Sequence, residues 1–151
     1  MNESDYMALA LDEAQAAATA GEVPVGALVV AGDGTVLARA QNRMRRERDP
    51  TAHAEMLAIR AACAAIGNER LPEATLYVTL EPCPMCAGAI AQARLARLYY
   101  GAADIKGGAV DNGVALFDQP SCNHKPEIYG GLQEAASAQL LQAFFAQRRK
   151  S

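Results

Sequence analysis

"ATLYVTLEPCPMCAGAI", residues 74–90, decides the fold. Its first seven residues are apolar or β-branched almost without a break, as in a strand buried on both faces of a sheet. Such a strand belongs to a layer covered by helices on either side. The chain then turns through Glu81-Pro82-Cys83 into a short helix over residues 84–94. Pro84 disfavours helical geometry at the residue before it and fits the first turn of a helix. Cys83 therefore reads as the cap and Cys86 as the third helical residue, with both sulfurs able to reach the space over the helix start. Helix N-termini favour anions, so both thiols should ionise readily there, and two thiolates at one point suit zinc.

The neighbouring segments extend this pattern. Residues 4–20 have helical periodicity, with Tyr6, Met7, Leu9, Ala10 and Ala14 near one face and Gly21 as the stop. "VPVGALVVA" and "GTVLARAQ" are strand-like runs joined at Gly32-Asp33-Gly34, a hairpin signal. A second long helix is predicted over 51–66, a strand over 96–102, a loop-rich stretch over 103–126, a short strand near 127–129 and a last helix over 131–148. After the hairpin, strands alternate with helices, which favours parallel crossovers. The fold class is α/β: a three-layer α/β/α sandwich around a central mixed five-stranded sheet.

At 151 residues, with no repeat, linker or composition shift, the chain reads as one domain over residues 1–151. About half the residues are hydrophobic (51%) and the formal net charge is −3, which argues against disorder and against coating nucleic acid by charge alone. Two local basic stretches remain: "NRMRRER" at 42–48, and "QRRK", which carries Arg148, Arg149 and Lys150. A charge run is more often a solvated face than a binding site. No apolar run approaches the roughly 20 residues that span a bilayer. The acidic N-terminal stretch lacks the basic region of a signal peptide, so no membrane is expected and the expected compartment is the cytoplasm. Without a secretory signal the four cysteines do not read as a disulfide framework, and the close pair points to metal or redox chemistry.

Two thiolates do not complete a zinc site, and the chain has two histidines to offer a third ligand. His53 stands near the start of the second long helix, in "PTAHAEMLAIRAACAAIG" at 50–67. In a parallel α/β sheet the strand-to-helix turns gather along one edge, so the starts of two helices can face each other there. His53 then joins Cys83 and Cys86, and Glu55 leans over the same helix end as an acid/base. A Cys₂His set leaves zinc's fourth position open, as in catalytic sites. Taken alone, the Cys pair also fits a redox couple, or a structural zinc site completed from Cys122 or His124. Cys63 lies roughly 15 Å along the helix from His53 and reads as a buried thiol.

"HAE" followed by "PCPMC" resembles the H-x-E…P-C-x-x-C signature of the zinc nucleobase deaminases. Within that cytidine deaminase-like superfamily the chain is similar to the bacterial tRNA-specific adenosine deaminases. The similar stretches are "EVPVGALVV", "NRMRRERDPTAHAEMLAIR", "LPEATLYVTLEPCPMCAGAI", "LYYGAADIKGGA", "CNHKPEIYGGL" and "FFAQRR", spanning residues 22–149. One departure stands out. After "KGGA" many members carry a small-residue segment ending in Gly-Ser, whereas here the chain reads Val110-Asp111-Asn112-Gly113, in a loop near the expected substrate mouth.

The resemblance implies one zinc ion per chain on His53, Cys83 and Cys86, with Glu55 as the catalytic proton shuttle. The implied reaction is hydrolytic deamination of adenosine to inosine at the wobble position of a tRNA anticodon. It further implies that Asn42 hydrogen-bonds the base and that Ala54 and Glu81 help through the backbone or by walling the pocket. Asp104, Lys106, Asn123 and His124 fall in loops placed for RNA, and Phe145, Arg148 and Arg149 match the family's anticodon-contacting end. Core packing is the competing reading for Phe145. A homodimer with sites near its interface is also implied. The main alternative is deamination of a free base or nucleoside, such as guanine or cytidine, at the same site. A zinc-stabilised RNA-binding module without catalysis is the other, and it would have no use for Glu55.

Overall fold

In the computed structural model, which describes residues 1–149, the central strand is β3 (Thr75–Leu80). Leu76 and Val78 sit in a large apolar cluster on one face, while Tyr77 packs with Met7, Ala10, Leu28 and Val30 on the other. That two-sided burial is what the continuous apolar run demands. β1 (Gly26–Val30) pairs antiparallel with both β3 and β2 (Val36–Gln41), and on the other side β4 (Arg97–Ala102) and β5 (Glu127–Tyr129) continue parallel. The sheet order is β2-β1-β3-β4-β5, a mixed sheet of five strands.

The helices α1 (Glu3–Thr19) and α5 (Glu134–Arg149) cover one face, and α3 (Ala54–Ile66) and α4 (Pro84–Gln92) the other. α1 begins with a capping box, in which Asn2 Oδ1 accepts from Asp5 N at 2.9 Å and Asp5 Oδ2 accepts from Asn2 N at 2.9 Å. Its buried face is Met7, Ala10, Ala14 and Ala17, mostly alanine, so the helix lies close on β1. Gly26 is the counterpart of that approach: a Cβ there would stand 1.9 Å from Ala10 O. The three-layer α/β/α architecture is thus as the sequence pattern predicts.

Local features differ from the sequence reading, among them the start of α5 at Glu134, three residues later than predicted. The basic run folds into a short helix, α2 (Met44–Glu47), which has no apolar period to announce it. The second long helix starts at Ala54, three residues later than predicted, because Asp49 Oδ1 accepts from Thr51 N (2.8 Å) and Oγ1 (2.7 Å) and holds a turn there. The 103–126 loop contains a single 3-10 turn at Leu116–Asp118. Lys150 of the basic C-terminal stretch lies outside the described residues.

Candidate active site

The late start of α3 makes His53 its N-cap, with extended backbone (φ −73°, ψ 151°), so the residue stands just ahead of the first helical turn. Its side chain makes no capping bond. Asn42, just past β2, does that work: its Oδ1 accepts from Ala54 N at 2.8 Å, and its Nδ2 donates to Val23 O at 3.2 Å. Cys83 is the N-cap of α4, Pro84 its first residue and Cys86 its third, as the proline placement requires. β3 runs out into α4, and β2 leads through α2 to α3, so both helix starts meet at the same edge of the sheet.

His53 Nδ1 lies 3.6 Å from Cys83 Sγ and 3.5 Å from Cys86 Sγ, and all three ligand atoms fall within 4.8 Å of one another. A tetrahedral ion with Zn–N near 2.0–2.1 Å and Zn–S near 2.3 Å would set nitrogen and sulfur about 3.6 Å apart. The donor set and its spacing therefore fit zinc. Among the described residues this is the group of three His, Cys, Asp or Glu side chains that could hold a metal ion. Cys63 and Cys122 stay outside it as free thiols. His124 does too, since its Nε2 is 2.6 Å from Leu95 O, beyond the far end of α4, and Cys122 Sγ donates to His124 O at 3.2 Å.

The electrostatics of the group call for a cation. The Cys83 thiol is drawn down to about 4, first by its hydrogen bond with Cys86 and then by His53, against the opposing effect of burial. Cys86 is pushed up, because its hydrogen bond to Cys83, burial and the nearby Glu55 all oppose a second negative charge. The His53 ring is raised by its hydrogen bond to Cys83. A divalent ion would let both sulfurs ionise together. Glu55, 4% exposed, is the second residue of α3 and faces Cys86; burial pushes its carboxyl up to about 7.

Glu81, 2% exposed, organises the loop beyond β4. Its Oε1 accepts from Asp104 N (3.0 Å) and Asn112 Nδ2 (2.7 Å); its Oε2 accepts from the backbone N–H groups of Val110, Asp111 and Asn112 (3.1, 2.9 and 3.0 Å). Gly108 permits this approach, since a Cβ there would stand 2.6 Å from Glu81 Cδ. Burial raises the Glu81 carboxyl, but the donors from Asp104, Asn112 and Val110 outweigh it and leave it lowered. Asp111 also accepts from the Tyr100 hydroxyl. The segment that departs from the family pattern is therefore tied down at both Asp111 and Asn112.

Two cavities lie along this edge. One of about 230 Å³ is lined by Asn42, Arg45, Phe144, Phe145 and Arg148 among others. One of about 440 Å³ is lined by Asp104, Ile105, Lys106 and Phe145, with Val23 shared between the two. Phe145 is 43% exposed while its neighbour Phe144 is buried at 8%, so the core-packing role falls to Phe144. Arg149 is exposed on the last turn of α5. Asn123 and His124 are not brought here; they line a separate cavity of about 270 Å³ along α4.

Residues 1–149 match the MafB19-like deaminase family. Over 95% of the chain, it is 58% identical to a tRNA-specific adenosine deaminase of Agrobacterium fabrum, covering 94% of that protein. This chain is a member of the tRNA-specific adenosine deaminase family. A solved structure from studies of A-to-I editing by tRNA:A34 deaminases at the wobble position superposes on the deaminase with a TM-score of 0.90. It is 57% identical and covers 92% of this chain and 100% of its own. A guanine deaminase from Bacillus subtilis shares the fold at a TM-score of 0.66 and 34% identity, over 99% of this chain and 95% of its own.

Sequence reasoning missed one element of the deaminase's site. Glu22, 2% exposed, accepts from Arg45 N (3.1 Å), Arg46 N (2.9 Å) and Arg46 Nε (3.1 Å), and so holds α2 in place. Burial raises its carboxyl, but those bonds leave it lowered. An acidic residue just before an apolar strand, with an arginine run some twenty positions on, was the available signal. Complementary charge at that distance in sequence does not specify a contact.

Proposed function

We propose that the whole chain is one deaminase domain that converts adenosine at the wobble position of a tRNA anticodon to inosine. The observation that carries the chemistry is the position of His53 Nδ1, 3.6 and 3.5 Å from two sulfurs, with the buried Glu55 carboxyl beside them. His53, Cys83 and Cys86 hold zinc, one ion per chain. Bound there, zinc supplies water activated near neutral pH, where free water ionises only at about 15.7. Glu55 accepts one proton as water adds to C6 of the base and passes it to N1, then takes the proton of the new C6 hydroxyl and passes it to the departing amine. Ammonia leaves, the base becomes hypoxanthine, and water is consumed one for one. Such positioned proton transfer contributes about 10²–10⁴-fold.

The surface around the site favours RNA over a free base. Lys106, Arg45, Arg148 and the exposed Phe145 line two adjoining cavities, supplying charge for phosphates and a ring for stacking. A free base has no phosphate for those charges to meet. Asn42, with its amide fixed between Ala54 and Val23, orients the base edge, and Glu81 holds the loop that carries Asp104 and Lys106. Among the described residues no helix is long and apolar enough to cross a membrane. On the family resemblance alone we place the enzyme in the cytoplasm as a homodimer. The test is incubation with total tRNA, free adenosine and free guanine, measuring inosine and ammonia. Inosine should form in tRNA and not from the free compounds. Ammonia from guanine or adenosine alone would establish the free-base reading instead.

A further inference from the structure

The loop after β4 has a buried half and an exposed tip. Gly108, Ala109 and Val110 are buried, and the last two belong to the apolar cluster that contains Tyr100. Ile105, Lys106 and Gly107 are exposed. The tip closes on Asp104, whose Oδ1 accepts from Gly107 N (2.9 Å) and whose carbonyl accepts from Gly108 N (2.8 Å). Asp104 N in turn donates to Glu81 Oε1, so the position of the tip follows the Glu81 carboxylate.

The segment 110–112 fixes that carboxylate, since its three N–H groups all meet Glu81 Oε2. A second bond holds the segment from its other side: the Tyr100 hydroxyl donates to Asp111 Oδ2. Tyr100 is itself wedged. It is buried on β4, its carbonyl accepts from Leu132 N at 3.1 Å, and a Cβ on Gly130 would stand 2.5 Å from its Cζ. Burial first, and then the bond to Asp111, push the phenol above its ordinary value, so it stays a donor at physiological pH. Among the described residues Asp111 enters no salt bridge, and its backbone meets the like-charged Glu81. The hydroxyl is therefore its compensating donor. A segment of small residues has no side chain to reach Tyr100, so this bond comes with the Val110-Asp111-Asn112-Gly113 sequence of this chain.

The tip brings Asp104, Ile105 and Lys106 into the wall of the 440 Å³ cavity, beside Phe145. We infer that the Tyr100–Asp111 hydrogen bond is a strap that sets this tip in its RNA-binding position before substrate arrives. Tyr100 and Asp111 are thus positioning residues, outside the metal group. A loop already ordered in the free enzyme costs less to bind, so the strap acts on affinity and leaves the chemistry at Glu55 alone. The inference rests on the RNA reading above.

The experiment measures kcat and KM of the zinc-loaded enzyme on an anticodon stem-loop, with amide hydrogen exchange of the free enzyme and zinc content alongside. Tyr100→Phe removes the donor and Asp111→Ala the acceptor. Each should raise KM about 3–10-fold, the worth of one net hydrogen bond, with kcat within about twofold of the parent. Exchange at amides 104 and 107–112 should quicken in both, with zinc unchanged. The double variant should match either single one, since all three lose the same bond. Asp111→Asn keeps an oxygen for the hydroxyl and should return KM to near the parent value. Parent KM, or parent exchange rates, in both single variants, with the parent active on the stem-loop, would overturn the strap and leave the deaminase reading standing. So would a fall in kcat at unchanged KM, or loss of zinc. A parent that neither binds nor deaminates the stem-loop would overturn both readings.

Discussion

Replacing Glu81 by glutamine keeps the side chain's shape and removes only its charge and half its accepting capacity. The carboxylate accepts five hydrogen bonds, three on Oε2 and two on Oε1. The amide oxygen of glutamine would serve the three backbone N–H groups. Its NH₂ would then face Asp104 N and Asn112 Nδ2, two donors that it cannot satisfy. Hydrogen bonds to a buried charge are worth about 1.5–3 kcal/mol each, and Asn112 can recover one by turning its own amide, so the net cost is about 3 kcal/mol. For a chain of this size that lowers Tm by about 6–12 °C. The pH dependence has a definite sign. The Glu81 carboxyl is lowered in the folded protein, so its stabilisation is present above the ordinary carboxylate value and is lost as pH falls through the folded value. The gap between parent and Glu81→Gln should therefore be full at pH 7 and shrink in acid. Thermal melts at both pH values, with zinc content measured alongside, make the assay. Equal melting at pH 7 would refute the claim that this carboxylate holds the 104–112 loop.

Cys86→Ser should lose the metal, while Cys63→Ser and Cys122→Ser keep one zinc per chain by elemental analysis; the reverse pattern would displace the ligand assignment. Glu55→Ala should retain zinc and fold but lose about 10²–10⁴-fold in deamination rate, and loss of zinc in that variant would make Glu55 a ligand. Changing both Arg148 and Arg149 to alanine should weaken tRNA binding and flatten its salt dependence by about 0.7 for each phosphate no longer neutralised, with zinc unchanged. Identical slopes would mark the end of α5 as a solvated helix end.

The layers were legible because each long element carries its own period. The run 74–80 is too apolar for an edge, and the helical period of α1 marks the face that it buries. The metal group was legible because Pro84 dictates where α4 begins, which places both sulfurs before any tertiary contact is known. The start of α3 was harder. A proline-threonine pair signals a helix start at 51, but the Asp49–Thr51 turn delays it, and that delay is what makes His53 a cap. The tasks of Glu22 and Glu81 were not legible, since their partners are mostly backbone N–H groups some twenty to thirty residues away, and every residue except proline has one. Nor could sequence choose between Phe144 and Phe145, where the small angular step from one to the next decides which ring meets the core. Asn123 and His124 sit in a loop without a period, and only the bond to Leu95 O shows which end of α4 they reach.

The most direct measurement is position-resolved detection of inosine in RNA. The zinc-loaded enzyme is given an anticodon stem-loop with adenosine at the wobble position, and a second stem-loop with that adenosine moved one nucleotide along. Products are digested and read by mass spectrometry. Inosine at the wobble position of the first RNA and none in the second is the result predicted here. Equal conversion of both, or conversion of free adenosine with neither RNA touched, would contradict it.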